Sequence, residues 1–96
     1  MIPNQMLQRE YDRLDLHGRS AFLTRLRGYI RQHHPKVPHP QRVVSVFQAA
    51  LEHTPQVEIA RAYGVSAPRV SVLVKNATQY ANRMLSSEVR DDATGA

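Results

Sequence analysis

The segment QVEIARAYGVSAPRVSVLVK, residues 56–75, predicts two short helices joined by a tight turn. Glycine at the end of a helix readily adopts the left-handed backbone conformation that turns the chain sharply, and Gly64 is placed to do so. Pro68 fits only in the first turn of a helix, because it lacks a backbone N–H. We therefore expect one helix to end at Gly64 and a second helix to begin at Ala67.

Each of these two helices has a candidate N-terminal cap. Thr54 precedes Pro55, and a proline at the first helical position sacrifices no hydrogen bond, because an N–H there has no partner within the helix. Ser66 precedes Ala67 and Pro68 in the same way. Serine and threonine hydroxyls accept hydrogen bonds from the free N–H groups at a helix start. We expect Thr54 to cap the first helix and Ser66 to cap the second.

The segment resembles the helix-turn-helix of bacterial, phage and plasmid regulators. The apolar, small and glycine positions of that motif correspond to Ile59, Ala60, Tyr63, Gly64, Val65, Val70 and Leu73. The phrase IARAYGVSAPRVS is also similar to the DNA-reading part of sigma factors and of small plasmid repressors of the TrfB type. The resemblance covers about residues 54–76 and implies that the second helix enters the DNA major groove. The alternative is a three-helix corner that only packs.

A helical wheel of the second helix, at about 100° per residue, separates a buried side from an outer side. The expected buried residues are Val70, Leu73, Val74 and Ala77. The outer residues are Pro68, Ser71, Val72, Lys75 and Gln79, with Arg69 at the flank. Val72 can contact a thymine methyl and Ser71 can hydrogen-bond to either base class, although a single exposed valine needs no functional reason. Lys75 and Arg69 can each bind a guanine edge or a phosphate, and the sequence does not decide between these.

The start of the first helix is a candidate phosphate contact, because free N–H groups lie there beside the side chains of Thr54 and Gln56. Arg61 and Arg42 add charge along the same edge or are solvated. The full predicted DNA-binding set is Thr54, Gln56, Ser66, Ala67, Pro68, Arg69, Ser71, Val72, Lys75 and Gln79.

The sequence as a whole predicts an all-α fold of about five helices, three of them before the helix-turn-helix. One helix is expected from Asn4 to about Leu16, ending at His17-Gly18, a second from Ser20 to about His33, and a third from about Gln41 to His53. Residues 34–40 contain three prolines and predict an extended connector. We expect one domain over residues 1–85, with the helix-turn-helix at 55–76 and a flexible tail at 86–96.

An apolar stripe continues beyond the motif and predicts that the last helix runs from Ala67 to about Leu85. The stripe residues are Val70, Leu73, Ala77, Tyr80 and Met84, with Val74, Ala81 and Leu85 alongside. The far half can bury itself against the chain's own first helices or against a second copy. Because one recognition helix reads few base pairs, we predict the second arrangement, a homodimer on a near-palindromic site.

The composition of the chain indicates which classes of partner the protein is expected to bind. The 96 residues carry a formal net charge of +5, which suits a polyanion such as double-stranded DNA. The chain lacks cysteine and has no long apolar run, so we expect a cytoplasmic protein without disulfides or a membrane partner. Six basic residues and no acid lie between Arg19 and Arg42, either as a second phosphate patch or as a solvated face.

The sequence offers little that predicts other chemistry. His33, His34 and His39 lie in or beside a proline-rich loop without nearby carboxylates or thiols, so we expect no metal site. Asp12 and Asp15 fit a charged helix face better than acid–base catalysis. We expect no enzymatic activity and no cofactor. No small-molecule ligand is evident from the sequence, which does not decide whether the protein responds to an inducer. The leading hypothesis is a sequence-specific repressor; the alternative is a module that binds RNA polymerase or another regulator.

Overall fold

The computed structural model of the chain describes the backbone of residues 5–95 and the side chains of residues 5–87. Five helices make up this part of the chain, and it contains no strand, which confirms the predicted all-α class. The helices are α1 Gln5–Arg13, α2 Leu16–His33, α3 Pro40–Leu51, α4 Gln56–Tyr63 and α5 Ala67–Gly95. The predicted cap Asn4 lies outside the described residues. None of the described helices combines the length and apolarity needed to cross a membrane.

The boundary between α1 and α2 differs from the prediction. α1 ends at Arg13 instead of continuing to Leu16, and α2 begins at Leu16 instead of Ser20. The reason is Asp15, whose carboxylate accepts a hydrogen bond from the backbone N–H of Gly18 at 2.7 Å. An aspartate at this position satisfies a free N–H group of the new helix, so His17 and Gly18 belong to its first turn.

Thr54 does not cap α4, contrary to the prediction. Its backbone N–H donates to the carbonyl of Ala49 at 3.0 Å, and that of His53 donates to Ala50 at 3.1 Å. With His53 in the left-handed conformation, these two bonds close the end of α3 as a Schellman motif. Pro55 takes the N-cap position of α4 without a side-chain hydrogen bond. Thr54 therefore completes the preceding helix and does not start the next one.

The turn between α4 and α5 has the predicted local geometry. Gly64 is left-handed, with φ of 65°, and the N–H of Val65 donates back to the carbonyl of Ala60 at 3.0 Å. Ser66 accepts a hydrogen bond on its hydroxyl from the N–H of Arg69 at 3.2 Å, as a cap of α5. Both features come from local backbone requirements, which explains why they could be predicted.

All five helices contribute to one core. Among its most completely buried members are Tyr11, Leu26, Ile30, Val46, Phe47, Leu51, Val70, Ala77 and Ala81. The helix α5 packs against α2, α3 and α4. The helix α1 is tied to the end of α3, because Gln8 donates to the carbonyl of Leu51 at 2.8 Å and the Tyr11 hydroxyl donates to Glu52 at 2.6 Å.

The far half of α5 packs inside its own chain. Ala81 is fully buried and Met84 is 4% exposed, both in the same core as the N-terminal helices. Leu85 is half-buried and borders a cavity shared with Leu7 and Phe22. Met84, one of the three residues predicted to join two copies, is therefore covered within its own chain. Tyr80 and Leu85, the other two, are half-buried, and the homodimer stays a prediction. The helix also continues to Gly95, past the predicted end at Leu85.

Candidate nucleic-acid interface

The candidate surface is built from α4, the turn at residues 64–66 and the first four turns of α5. Ile59 and Ala60 of α4 are buried against Val70, Leu73 and Val74 of α5. The buried side of α5 thus agrees with the helical wheel, and Ala77 completes it. Burial of this side fixes which residues of α5 point away from the core.

The outer side of α5 is largely exposed. Pro68, Val72, Lys75 and Gln79 are exposed, and Arg69 beside them is exposed as well. Val72 is 45% exposed, a large fraction for an aliphatic residue on a packed helix. We call the surface made by Pro68, Arg69, Val72, Lys75 and Gln79 the outer face of α5.

A side chain of α4 is hydrogen-bonded to α5. The amide nitrogen of Gln56 donates to the hydroxyl of Ser71 at 2.6 Å and to the backbone carbonyl of Ala67. Ser71 is half-buried, so its hydroxyl faces α4 more than the solvent. Gln56 therefore orients the start of α5, a role that the sequence did not predict for it.

Of the ten predicted contact residues, the structure places nine on α4, the turn at residues 64–66 and the first four turns of α5. Ser66 and Ala67 start α5, Gln56 binds Ser71, and the remaining five form the outer face. Thr54 is the exception, because its backbone closes α3 and its side chain is half-buried.

The cations of the outer face are uncompensated. Within the described side chains, neither the Arg69 guanidinium nor the Lys75 ammonium group has a hydrogen-bonding or ionic partner, and no carboxylate lies on this face. Unpaired cations on one exposed surface create a positive potential that attracts a polyanion. The face also offers amide hydrogen bonds from Gln79 and the methyl groups of Val72, so it can form polar and apolar contacts side by side.

The basic segment between Arg19 and Arg42 does not form a uniform patch. The guanidinium of Arg19 lies 4.8 Å from the centre of the Tyr11 ring and donates to the Tyr11 carbonyl at 3.2 Å. Arg27 donates to the side chain of Gln41 at 2.7 Å. These two arginines stabilise contacts between helices. Of the four other basic residues, all exposed, Arg25 has an interaction of its own, which leaves Arg31, Lys36 and Arg42.

A cleft that was not predicted from the sequence lies beside the outer face of α5. The cleft has a volume of about 470 Å³ and lies between residues 34–38 of the connector and α5. Its lining includes Lys36 from the connector and Arg69, Asn76 and Tyr80 from α5. Residues so far apart in the chain carry no shared local pattern, so no sequence signal could have found this juxtaposition.

Comparison with known proteins does not extend these observations: the chain matches no family model, no curated protein and no solved structure.

Proposed function

We propose that α4 and α5 form a DNA-binding helix-turn-helix, and that the protein is a sequence-specific transcriptional repressor. The observation that carries the proposal is the outer face of α5. Uncompensated Arg69 and Lys75 lie there beside an exposed valine, on a helix whose other side is held in the core. A helix presented in this way has the shape and charge needed to enter the major groove.

In the proposed mechanism, contacts to the DNA backbone set the register and the outer face reads the bases. Lys75 and Arg69 bind guanine edges or phosphates, and Val72 contacts a thymine methyl. Gln56 supports the reading by holding Ser71 and the start of α5 in place. Bound protein then excludes RNA polymerase from the promoter, in the cytoplasm.

We further propose that two copies bind one operator. A single recognition helix contacts too few base pairs for useful specificity, and a two-fold pair would place its recognition helices about 34 Å apart, one DNA turn. Ala81 and Met84 are buried within the chain, so we do not assign them to the surface that joins the copies.

The test begins with selection of bound sequences from random double-stranded DNA. Affinities for the selected site are then measured for the parent, Arg69→Ala and Lys75→Ala, with Arg9→Ala on α1 as the control that removes one charge elsewhere. We expect both outer-face variants to bind more weakly and the control to bind like the parent.

The same variants separate base reading from phosphate binding. A residue that reads a guanine should, when lost, relax preference at one base pair by about 1–3 kcal/mol. A residue that binds phosphate should weaken all sequences alike and lower the slope of log affinity against log salt by about one. If neither outer-face variant changes DNA affinity, or if no sequence is enriched, the proposal is wrong.

A further inference from the structure

We propose that the cleft between the connector and α5 binds a small organic anion with an apolar or aromatic body, and that its occupancy weakens DNA binding. The binding stands on the cleft itself, whereas the effect on DNA rests on the proposed function. The cleft's volume of about 470 Å³ is within the range of small-molecule sites in proteins, about 300–1,000 Å³.

The floor and walls of the cleft are apolar or aromatic. Val43 and Leu73 are almost fully buried and form its floor, while Val37 and the prolines of the connector form one wall. From α5, the ring of Tyr80 lies against that of His34, with ring centres 4.5 Å apart and the ring planes tilted by 37°. Such a lining favours a ligand with a flat apolar body, and a bare phosphate would leave it unused.

The charge of the cleft selects an anion. Lys36 and Arg69 contribute cations to the lining from opposite sides, and no aspartate or glutamate lines it among the side chains of residues 5–87. Both cations are exposed, and neither has a partner among the described side chains. Asn76 adds an amide that can donate a hydrogen bond to a carboxylate. A carboxylate or sulfonate on an apolar body therefore matches both parts of the site.

The cleft and the outer face share Arg69. An anion held at Arg69 neutralises a charge that the proposed DNA complex uses, so the two ligands compete for one group. By thermodynamic linkage, the organic anion weakens DNA binding by the same factor by which DNA weakens binding of the anion.

The test is a titration of the isotope-labelled protein with 1-naphthoate, followed by backbone amide NMR. We expect saturable shifts clustered at Val37, Leu73, Asn76 and Tyr80. The neutral 1-naphthamide reports the contribution of charge, and inorganic phosphate reports the contribution of the apolar body. Both should bind more weakly than 1-naphthoate.

Variants locate the site. Lys36→Gln should weaken 1-naphthoate binding about two- to fivefold, as expected for loss of one solvent-exposed ion pair. Arg31→Gln removes an exposed charge from α2 outside the cleft lining and should leave binding unchanged. Asn76→Phe should fill the cleft and abolish the shifts. Circular dichroism checks that this variant is folded, and the two surface variants decide the question if it is not.

Several outcomes would overturn the inference. Absence of saturable shifts, or shifts that persist in folded Asn76→Phe, would exclude the cleft as the site. Equal binding of 1-naphthamide would exclude the anionic class, and equal binding of phosphate would exclude the apolar body. Binding of 1-naphthoate that leaves affinity for the selected DNA unchanged would exclude the coupling. Failure of the unliganded protein to bind any DNA would instead refute the proposed function, since the NMR titration needs no DNA.

Discussion

Gly64 is the residue on which the angle between α4 and α5 most directly depends. Its φ of 65° lies in the left-handed region, and a Cβ atom built there would meet no heavy atom within 4 Å. A substitution at this position is therefore costly through the backbone alone and not through a clash. Gly28, inside α2, also has open space around a new Cβ atom, but its φ lies outside the left-handed region.

These two glycines make a matched pair of alanine substitutions. Gly64→Ala should lower the free energy of unfolding by about 1–2 kcal/mol, because an L-residue resists the left-handed conformation. Gly28→Ala should raise it by about 0.5–1 kcal/mol, because alanine favours a helix interior. Urea denaturation of both variants measures the difference. A Gly64→Ala variant at least as stable as the parent would show that backbone conformation at Gly64 does not control stability.

Residue-scale signals were also the most predictable from sequence. Gly64, Ser66 and Pro68 each act within their own turn, so residue type alone indicated their positions. The prediction that Thr54 caps α4 was wrong because it, too, used only local residue type. A threonine before a proline has the form of a helix start, but the chain uses its N–H to end α3. Local chemistry identifies a boundary residue without saying which of two adjoining helices it serves.

At the scale of the helices, α1 is attached to α3 through an ionisable pair. The Tyr11 hydroxyl donates to the Glu52 carboxylate at 2.6 Å, and Gln48 donates to the same carboxylate at 3.1 Å. The hydrogen bond from Tyr11 is the main cause that lowers the pKa of Glu52, and partial burial opposes it. Burial and then the bond to Glu52 raise the pKa of Tyr11.

The direction of the Glu52 shift predicts acid sensitivity. A carboxyl with a lower pKa in the folded state stabilises the fold above its ordinary pKa of 4.5, and this contribution is lost as pH falls below that value. We expect the free energy of unfolding to fall less steeply below pH 4.5 in Glu52→Gln and Tyr11→Phe than in the parent. The difference should be less than about 1 kcal/mol, because the carboxylate is exposed to solvent.

Urea denaturation at a series of pH values measures this difference. Parallel profiles for the parent and Glu52→Gln would contradict the assignment of Glu52 as the acid-sensitive link between α1 and α3.

Packing between helices was only partly predictable. The apolar stripe from Val70 to Met84 correctly indicated which side of α5 is buried. It could not indicate the partner, because the same stripe would serve a neighbouring helix or a second copy. Asp15 illustrates a further limit, since its capping role became visible only from its bond to Gly18. The cleft near Lys36 depends on how distant segments meet, which no periodicity encodes.

At the scale of the whole molecule, burial of Met84 within the chain leads to a different expectation from a dimer contact. Met84→Ala should lower the free energy of unfolding by about 2–5 kcal/mol, as for a methionine removed from a packed core. Arg83→Ala, on the neighbouring exposed position, should change it by no more than about 0.5 kcal/mol.

Denaturation and sedimentation together test this expectation. Folded Met84→Ala should keep the same association state as the parent. A variant as stable as the parent that sediments as a monomer, from a parent that sediments as a dimer, would show that Met84 joins two copies.

The length of α5 has a consequence for how this protein can change over generations. Its inner side is buried in the core from Val70 to Met84, whereas Val72, Lys75 and Gln79 are exposed and lie outside the core. Mutations on that outer side are therefore nearly free of folding constraints, and they can accumulate without loss of the scaffold. Under the proposed function, a lineage of such chains can acquire new DNA targets by altering a few side chains on α5 while the core residues stay the same.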